Sequence, residues 1–320
     1  MAIVSERRRA ELAAGEPASR RREAVQVGQP MRGGDAEEGA RVCGNPGCTW
    51  GWMRFWKDRR RPMFEGRWGC SRECLKAMVE AAVRRAEGEG GTAEGEAAHR
   101  HRMPLGLVLL AQGWITHPQL QHALEVQRRA GRGRIGRWLV EECGLKEDRV
   151  TRALSMQWSC PVLGLEGFEP EEMALLAPLV LVERLGMVPL RVAGERILYM
   201  AFEDKLDASA ALAMERMSGL KVESGMVAEG ELAAARRLLC GCRFVQAVSE
   251  RVEEAGMVAD KVAAALNEVR PRASRMVRVR EFYWLRMWLE SGAMRTEEGG
   301  APGSGEDVMD RVYEVGPERR

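Results

Sequence analysis

The chain has 320 residues, of which 30% are charged and 45% are hydrophobic, with a formal net charge of +2 and eight cysteines. This length allows two or three domains with buried cores. There is no apolar run near 18 residues and no signal-peptide pattern at the start, so we expect a cytoplasmic protein without a transmembrane segment, in which cysteines serve as thiols or metal ligands rather than in disulfides.

Residues 1–40 form the first predicted segment. They are rich in Arg, Glu, Ala and Gly and contain few large apolar side chains after Val4. Such a segment buries too little apolar surface to offset the entropy that ordering costs. We therefore predict a disordered arm.

The composition changes abruptly in residues 41–86, where four cysteines form two close pairs. Cys43 and Cys48 have the spacing C-x4-C, and Cys70 and Cys74 have the spacing C-x3-C. Four thiolates in two pairs satisfy the tetrahedral coordination of zinc, and a segment this short needs a metal staple to fold. The sequence therefore predicts a structural zinc site with these four ligands.

The residues around the cysteines fit the same interpretation. Gly44, Pro46 and Gly47 supply the tight turn of a zinc knuckle, and Ser71 can cap the amphipathic helix that the second pair opens. The arrangement resembles treble-clef zinc fingers, which have a segment such as Gly69-Cys70-Ser71 in their second half. The alternative is that the four cysteines are unpaired structural or redox thiols.

The finger is also rich in basic and aromatic side chains. These would suit nucleic-acid binding if they formed one cationic surface. The alternative, which we favour, is that the aromatics form the small core of the finger, the arginines face solvent, and the finger contacts protein. The residues concerned are Arg54, Lys57, Arg59, Arg60, Arg61, Arg67, Trp50, Trp52, Phe55, Trp56, Phe64 and Trp68.

Residues 87–101 (EGEGGTAEGEAAHRH) are rich in Gly, Glu and Ala and predict a flexible linker. His99 and His101 at its end are expected to face solvent rather than to bind metal.

Residues 104–157 contain one pattern twice, PLGLVLLAQGWITHPQLQHALEVQ and RIGRWLVEECGLKEDRVTRALSMQ. The copies align without gaps, and their apolar positions recur at helical spacing on both sides of a break. Thr116 and Gln119 form a capping-box signature at the second helix of the first copy. The simplest interpretation is a duplicated helical hairpin whose leucines form a core.

Three features of the copies do not follow from packing of leucines. Gly106 and Gly136 lie in predicted helices, where Ala would be the better helix former by roughly 1 kcal/mol, so something is expected to approach the backbone there. Gln127 and Gln157 end the copies at equivalent positions. A basic bridge leads into Arg134, and arginine can bind the edge of guanine through two hydrogen bonds.

This doubled pattern, an Arg-aliphatic-Gly start and a Leu-x-x-x-Leu-x-x-Gln end, resembles the MshEN domain, the N-terminal regulatory domain of type II secretion and type IV pilus ATPases of the GspE and PilB type. The resemblance implies an α+β domain that binds cyclic di-GMP. In the first copy Pro104 replaces the arginine, and Arg102 lies two residues earlier. The candidate nucleotide-binding residues are therefore Arg102, Gly106, Gln127, Arg134, Gly136 and Gln157.

Residues 158–240 are predicted to form a small α/β part of the same domain. The patterns indicate helices from Pro170 and from Leu179, strands at 187–192 and 196–202, a helix near 208–217, a strand at 221–226 and a helix at 229–239. Glu203-Asp204 lies near the acidic turn that the resemblance places after a strand. The MshEN-like domain would thus occupy residues 102–240.

An ATPase would follow in that family, but the sequence contains no G-x-x-x-x-G-K-[ST] motif. Residues 241–290 instead predict a helical extension: one long helix to Val269 and a second, basic and aromatic, from Arg272 to Leu289. The second helix would contact a partner, a membrane surface or its own protein. Residues 291–320 are predicted to be a disordered tail, and the Cys240-x-Cys242 pair is expected to be core or surface thiols.

No catalytic constellation is present in the sequence. We therefore expect a modular, non-enzymatic protein of the α+β class, with duplicated helical hairpins packed on a small α/β subdomain and a zinc finger before them. The expected function is a cyclic di-GMP-responsive adaptor that contacts a secretion or pilus component or another protein. The alternatives are an interaction scaffold that has lost the nucleotide and a zinc-finger nucleic-acid binder.

Overall fold

The structure, a computed structural model, describes residues 43–49, 61–89, 102–203, 206–289 and 302–316. Both helices and strands occur along these residues, partly in separate runs, which confirms the α+β class. The predicted arm, residues 90–101 of the predicted linker, and the finger residues between 50 and 60 lie outside the described ranges.

The finger consists of a short hairpin followed by a helix. Its elements are β1 (Met63–Phe64), β2 (Arg67–Trp68) and α1 (Arg72–Glu89). The Ser71 hydroxyl accepts a hydrogen bond from the Cys74 amide at 3.2 Å, so the predicted cap is present. The helix extends to the start of the predicted linker, beyond the expected boundary at residue 86.

The duplicated region folds into four helices, two from each copy. Thr116 and Gln119 form the predicted capping box, with Gln119 Oε1 accepting from the Thr116 amide at 2.9 Å. Packing occurs between the copies: the first helix contacts the fourth, and the second contacts the third. The four helices are α2 (Leu105–Ala111), α3 (His117–Ala130), α4 (Ile135–Cys143) and α5 (Glu147–Trp158).

The α/β part follows the predicted order of elements. Its three-stranded sheet has the order β3-β4-β5, with β3 antiparallel and β5 parallel to the central strand. The helices cover this sheet with buried leucines, methionines and alanines. The elements are α6 (Pro170–Met173), α7 (Leu179–Leu185), β3 (Met187–Ala193), β4 (Ile197–Phe202), α8 (Ala208–Ser218), β5 (Lys221–Gly225) and α9 (Glu229–Cys240).

The C-terminal region is not the predicted helical extension. It contains one helix and a four-stranded sheet of order β6-β9-β8-β7, in which β6 runs parallel to β9. The helix predicted over 272–289 is a β-hairpin, and the helix predicted to 269 begins only at residue 255. The elements are β6 (Gln246–Val252), α10 (Ala255–Val269), β7 (Ala273–Val279), β8 (Phe282–Trp288) and β9 (Val308–Val315).

The predicted disordered tail is also wrong for residues 308–315, which form β9. This strand lies between β6 and β8 and pairs with both over its whole length. The physical reason is its alternation: Val308, Asp310 and Val312 are buried on one face, and Tyr313 is buried on the other. A strand with two buried faces and two paired edges is held by packing and hydrogen bonds together.

Every residue of β8 is buried, because both faces of the C-terminal sheet are covered at this strand. Phe282, Trp284 and Trp288 pack into the core of the α/β part. Tyr283 and Leu285 pack against α1 and α10. The sheet is therefore a middle layer between the MshEN-like domain and the finger helix.

Hydrogen bonds from two arginines join the sheet to the α/β part. Arg286 forms a bidentate pair with Asp310 at 2.7 and 2.8 Å, and it also donates to the Leu176 carbonyl at 3.1 Å. Arg275 donates to the Met217 carbonyl at the C-terminal end of α8 at 3.2 Å. These arginines were predicted to lie on a basic helix that contacts a partner, a membrane surface or its own protein. They lie on strands instead, and their contacts are with this protein itself.

No helix in the described ranges is both long enough and apolar enough to cross a membrane.

We expect the Arg286–Asp310 pair to hold the orientation of the sheet on the α/β part. Asp310→Ala should lower the free energy of unfolding by about 3–5 kcal/mol, because Arg286 is 2% exposed and its charge would remain without a carboxylate. Urea denaturation followed by circular dichroism measures this loss. Lys221→Ala, which breaks an exposed pair with Glu223, serves as the control and should produce no comparable change.

The double variant Arg286→Met/Asp310→Leu removes both charges. It should recover much of the stability that Asp310→Ala loses, because apolar side chains can replace a buried ion pair at little cost. If Lys221→Ala and Asp310→Ala destabilised the protein equally, the proposed role of the Arg286–Asp310 pair would be contradicted.

Candidate functional site

The two motif glycines lie where helices approach each other closely. A Cβ atom on Gly106 would lie 2.7 Å from Leu120 Cδ1, and one on Gly136 would lie 2.8 Å from Val150 Cγ1. The two contacts are equivalent in the two copies, since each pair is 14 residues apart. The group that approaches the backbone is thus a side chain of the following helix.

The two motif glutamines bind backbone carbonyls at the start of the opposite copy. Gln127 Nε2 donates to the Gly133 carbonyl at 2.8 Å, and Gln157 Nε2 donates to the Met103 carbonyl at 2.7 Å. Met103 and Gly133 occupy equivalent positions, 30 residues apart. The hydrogen bonds therefore relate the two copies by an approximate two-fold arrangement in which each copy fixes the entry of the other.

Arg134 is exposed at the start of α4, and its Nη1 donates to the Glu203 carbonyl at 2.8 Å. Glu203 also forms an ion pair with Arg236, whose Nε lies 3.0 Å from Glu203 Oε1. These contacts join the second motif to the end of β4 and to α9. Arg134 is thus at the junction of the duplicated helices with the α/β part.

A cavity of about 290 Å³ lies at this junction. Arg134, Gly136 and Trp158 are among its lining residues. The start of the second motif and the residue that follows its last position therefore lie at the same cavity. Gly106, Gln127 and Gln157 do not line it. Leu154, Phe202, Val227 and Leu232 give the cavity an apolar part.

Arg102, which precedes the first motif, does not line the cavity but contacts Trp158, which does. Its guanidinium lies 3.4 Å from the centroid of the Trp158 ring, a cation–π arrangement, and burial lowers its pKa. Trp158 is a site residue that the sequence analysis missed. Its position directly after Gln157 was the available signal.

The charges around the cavity are mixed. Arg137 pairs with Glu141 at 2.7 Å, and Glu147 accepts from the Gly230 amide at 2.8 Å. Four glutamates and two arginines line the cavity in total. Arg128 and Arg132 in the basic bridge before α4 are exposed and do not line the cavity. An anionic group is therefore favoured at the bridge and disfavoured at the glutamates.

The four finger cysteines come together as predicted. Their sulfur atoms all lie within 4.8 Å of one another, and Cys70 Sγ is 3.5 Å from both Cys48 Sγ and Cys74 Sγ. Tetrahedral ligands at about 2.3 Å from zinc are separated by about 3.8 Å. The donor set and its spacing therefore fit a zinc ion.

Hydrogen bonds around the cluster support its cysteines in different ways. Burial raises the pKa of Cys43 and of Cys70. Burial also acts to raise the pKa of Cys74, but hydrogen bonds from Asn45, Cys70 and Ser71 together lower it. Asn45 Nδ2 donates to Cys74 Sγ at 3.4 Å, so the knuckle turn supplies a donor that the sequence analysis did not identify.

We expect Gly136→Ala to destabilise the duplicated region. Val150 has a stiff χ1 angle, so overpacking by the new Cβ should cost about 1–3 kcal/mol and outweigh the gain of about 1 kcal/mol in helix propensity. Thermal unfolding of the full chain measures the effect. Gly256→Ala is the control, since the space near that helical glycine is limited only by a Glu254 carboxylate oxygen at 3.8 Å.

Adding Val150→Ala to Gly136→Ala should make room for the new Cβ. The double variant should therefore lose less stability than the sum of the losses of the two single variants, as expected for residues in contact. Strictly additive losses would contradict a direct contact between these positions.

No protein-family model matches the chain. The type IV pilus assembly ATPase PilB of Myxococcus xanthus is 29% identical over 126 residues, which are 39% of this chain and 22% of that protein. PilB of Thermus thermophilus is 31% identical over 121 residues, which are 37% of this chain and 14% of that protein. The chain thus spans between 14% and 22% of the length of these relatives.

Two solved structures are similar to part of the chain. A structure of MshE with cdg is 28% identical, with a TM-score of 0.34, and the match covers 42% of this chain and 98% of that one. The N-terminal domain of XpsE is 17% identical, with a TM-score of 0.30, and the match covers 42% of this chain and 92% of that domain. Together with the doubled motif, the sequence similarity to the pilus ATPases shows that this chain carries a domain related to the MshEN and GspE N-terminal domains.

Proposed function

We propose that this chain is a cytoplasmic, non-enzymatic receptor for cyclic di-GMP that acts as an adaptor for a type IV pilus or type II secretion machine. The observation that carries the proposal is the approximate two-fold arrangement of the motifs, in which Gln127 and Gln157 hold the opposite copy's entry. Cyclic di-GMP consists of two identical halves, so a surface with two equivalent halves suits it. The names of the two relatives, type IV pilus assembly ATPases, support the pilus machine, and the similar MshE structure contains cdg.

The two halves of the proposed site differ in their chemistry. Arg134 begins the second motif, whereas Pro104 begins the first, and Arg102 instead stacks on Trp158. A guanine edge can accept two hydrogen bonds from an arginine such as Arg134. The apolar part of the cavity suits a base, and the phosphates would lie towards the basic bridge at Arg128 and Arg132.

The size of the cavity limits the mode of binding. At about 290 Å³ it is at the lower end of the range for small-molecule sites. It would hold part of a cyclic dinucleotide, with the rest on the surface formed by the motif starts. The alternative function is an interaction scaffold with the same fold and no nucleotide.

A role for the C-terminal region in nucleic-acid binding has little support. Arg286 is buried against Asp310, and Arg275 binds carbonyls at the end of α8. These two arginines are therefore engaged within the protein. We therefore propose that the chain acts by contacting another protein.

We further propose that one zinc ion occupies the finger, held by Cys43, Cys48, Cys70 and Cys74. The spacing of the four sulfur atoms supports this proposal. Zinc would supply a fixed tetrahedral centre without redox chemistry. Through it the four cysteines would hold the knuckle turn against the start of α1.

We expect cyclic di-GMP binding to depend most on Arg134. Isothermal titration calorimetry of the full chain should show that Arg134→Ala weakens binding by about 1–3 kcal/mol, the value of a good bidentate contact with guanine. Arg102→Ala should have a smaller effect, because Arg102 does not stand at the motif position. Arg149→Ala, an exposed arginine of α5 outside the cavity, is the matched control.

Cyclic di-AMP separates recognition of guanine from general attraction of a cyclic dinucleotide, and it should bind more weakly than cyclic di-GMP. Absence of heat with cyclic di-GMP, or an equal affinity in Arg134→Ala and Arg149→Ala, would contradict the receptor and favour the scaffold.

Zinc content tests the second proposal directly. Elemental analysis of protein purified without chelator should give one zinc per chain, and Cys48→Ser should reduce it because only three thiolates remain. Cys242→Ser is the control, since Cys242 is a half-exposed cysteine outside the cluster. Unchanged zinc in Cys48→Ser, or no zinc in the wild type, would remove the site.

A further inference from the structure

We infer that the finger and the C-terminal sheet form one discontinuous domain, and that zinc binding by the four cysteines is thermodynamically coupled to the docking of α1 on this sheet. The inference rests on the proposed zinc site. It assigns the finger a partner within the same chain, at residues 246–289 and 302–316, on the far side of the MshEN-like domain in the sequence.

Helix α1 supplies one side of the shared core. Leu75 and Val79 are fully buried, and Ala82 and Val83 are nearly so. They pack in the same cluster as Val262 and its neighbours on α10, and the two helices contact along their length. Burying side chains of this kind is the main source of stability for so small a finger.

The finger hairpin also joins the edge of the sheet. The Glu65 amide donates to the Ser274 carbonyl at 3.0 Å, and the Ser274 hydroxyl donates to the Met63 carbonyl at 2.6 Å. The Met63 amide donates to the Pro271 carbonyl at 3.3 Å. The hairpin therefore covers part of the edge of β7 that would otherwise present unpaired backbone groups.

The cysteine cluster is built into the same contact. Cys74 lies in α1 directly before Leu75, which is buried in the shared core. A Cβ atom on Gly69 would lie 2.5 Å from the Leu75 side chain, and one on Gly44 would lie 2.7 Å from Met78 Cε. Both cysteine-bearing turns thus pack tightly against α1, and a displacement of the helix would displace the thiolates.

Coupling follows from linkage. Metal binding contributes to folding when the folded arrangement alone brings the ligands together. Because the docked α1 belongs to that arrangement, zinc should stabilise the docking, and the docking should strengthen zinc binding by the same factor. The four cysteines would then control whether the apolar face of α10 is covered.

Two measurements on the full chain test the coupling from its two ends. The first is hydrogen exchange with and without a zinc chelator. Chelation should increase exchange in α1 and in α10, while α3 and α4 of the MshEN-like domain keep their protection. Unchanged exchange in α10 when zinc content has fallen to zero would overturn the inference.

The second measurement is zinc affinity by competition with a chromophoric chelator. Val262→Ala in α10 should weaken zinc binding by between about 5-fold and 150-fold, the usual range of coupling between sites. Leu239→Ala is the matched control, because Leu239 is equally buried but lies in the other core. Val79→Ala in α1 provides a second variant on the finger side of the same core and should behave as Val262→Ala does.

The outcomes separate the two proposals. If the wild type binds no zinc, both the metal site and the coupling fail. If the wild type binds zinc and Val262→Ala binds it with the same affinity as Leu239→Ala, the metal site stands and the coupling fails.

Discussion

Burial of both faces of strand β8 is the constraint on which the arrangement of the protein depends. Its even-numbered aromatic residues lie in the core of the α/β part, and its odd-numbered residues lie under α1 and α10. A strand covered in this way stabilises three parts of the chain at once, because loss of either covering layer exposes an apolar face. The buried Arg286–Asp310 pair adds orientation, since the Arg286 Nη1 donor that faces away from Asp310 finds its acceptor in the Leu176 carbonyl of the α/β part.

The duplicated helices and the α/β part could be predicted from the sequence because their signals are local. An internal repeat, a capping box at Thr116 and glycines at Gly113 and Gly144 mark the helix ends, and both glycines have φ near +65°. The second copy has its glycine one residue later than the first, and its helix α4 is correspondingly longer than α2. The shift of this glycine by one residue thus preserves the same left-handed helix end.

The C-terminal sheet could not be predicted in the same way. The β7–β8 hairpin turns at Arg280 and Glu281, and Arg280 adopts a positive φ that is uncommon for a residue other than glycine. The turn therefore has no Gly, Asn or Pro to mark it. In β8 every side chain is buried, so there is no alternation of apolar and exposed residues to distinguish a strand from a helix. Tertiary contacts decide the structure of this segment.

The structure also changes the roles expected for the motif residues. The glycines explain the packing of the two helices within each copy, the glutamines join the two copies, and Leu124, predicted to be in the core, is 38% exposed. Residues that pack the helices and residues that we propose to contact a ligand thus share one sequence pattern, and only the arginines and Trp158 are left as candidates for direct contact. For this reason the ligand contacts of the domain are better sought at Arg134 and the cavity than at every motif position.

The position of the cavity bears on how a ligand could affect the rest of the chain. Glu203 lines the cavity and accepts from Arg134, and four residues later Asp207 caps α8 and pairs with Arg280 at the tip of the β7–β8 hairpin. Arg275 holds the other end of the same helix. A ligand shifts such an arrangement only if it binds two states with different affinity. Helix α8 is held at both ends by the sheet. A displacement of Glu203 must therefore either end before residue 207 or move the sheet together with α8.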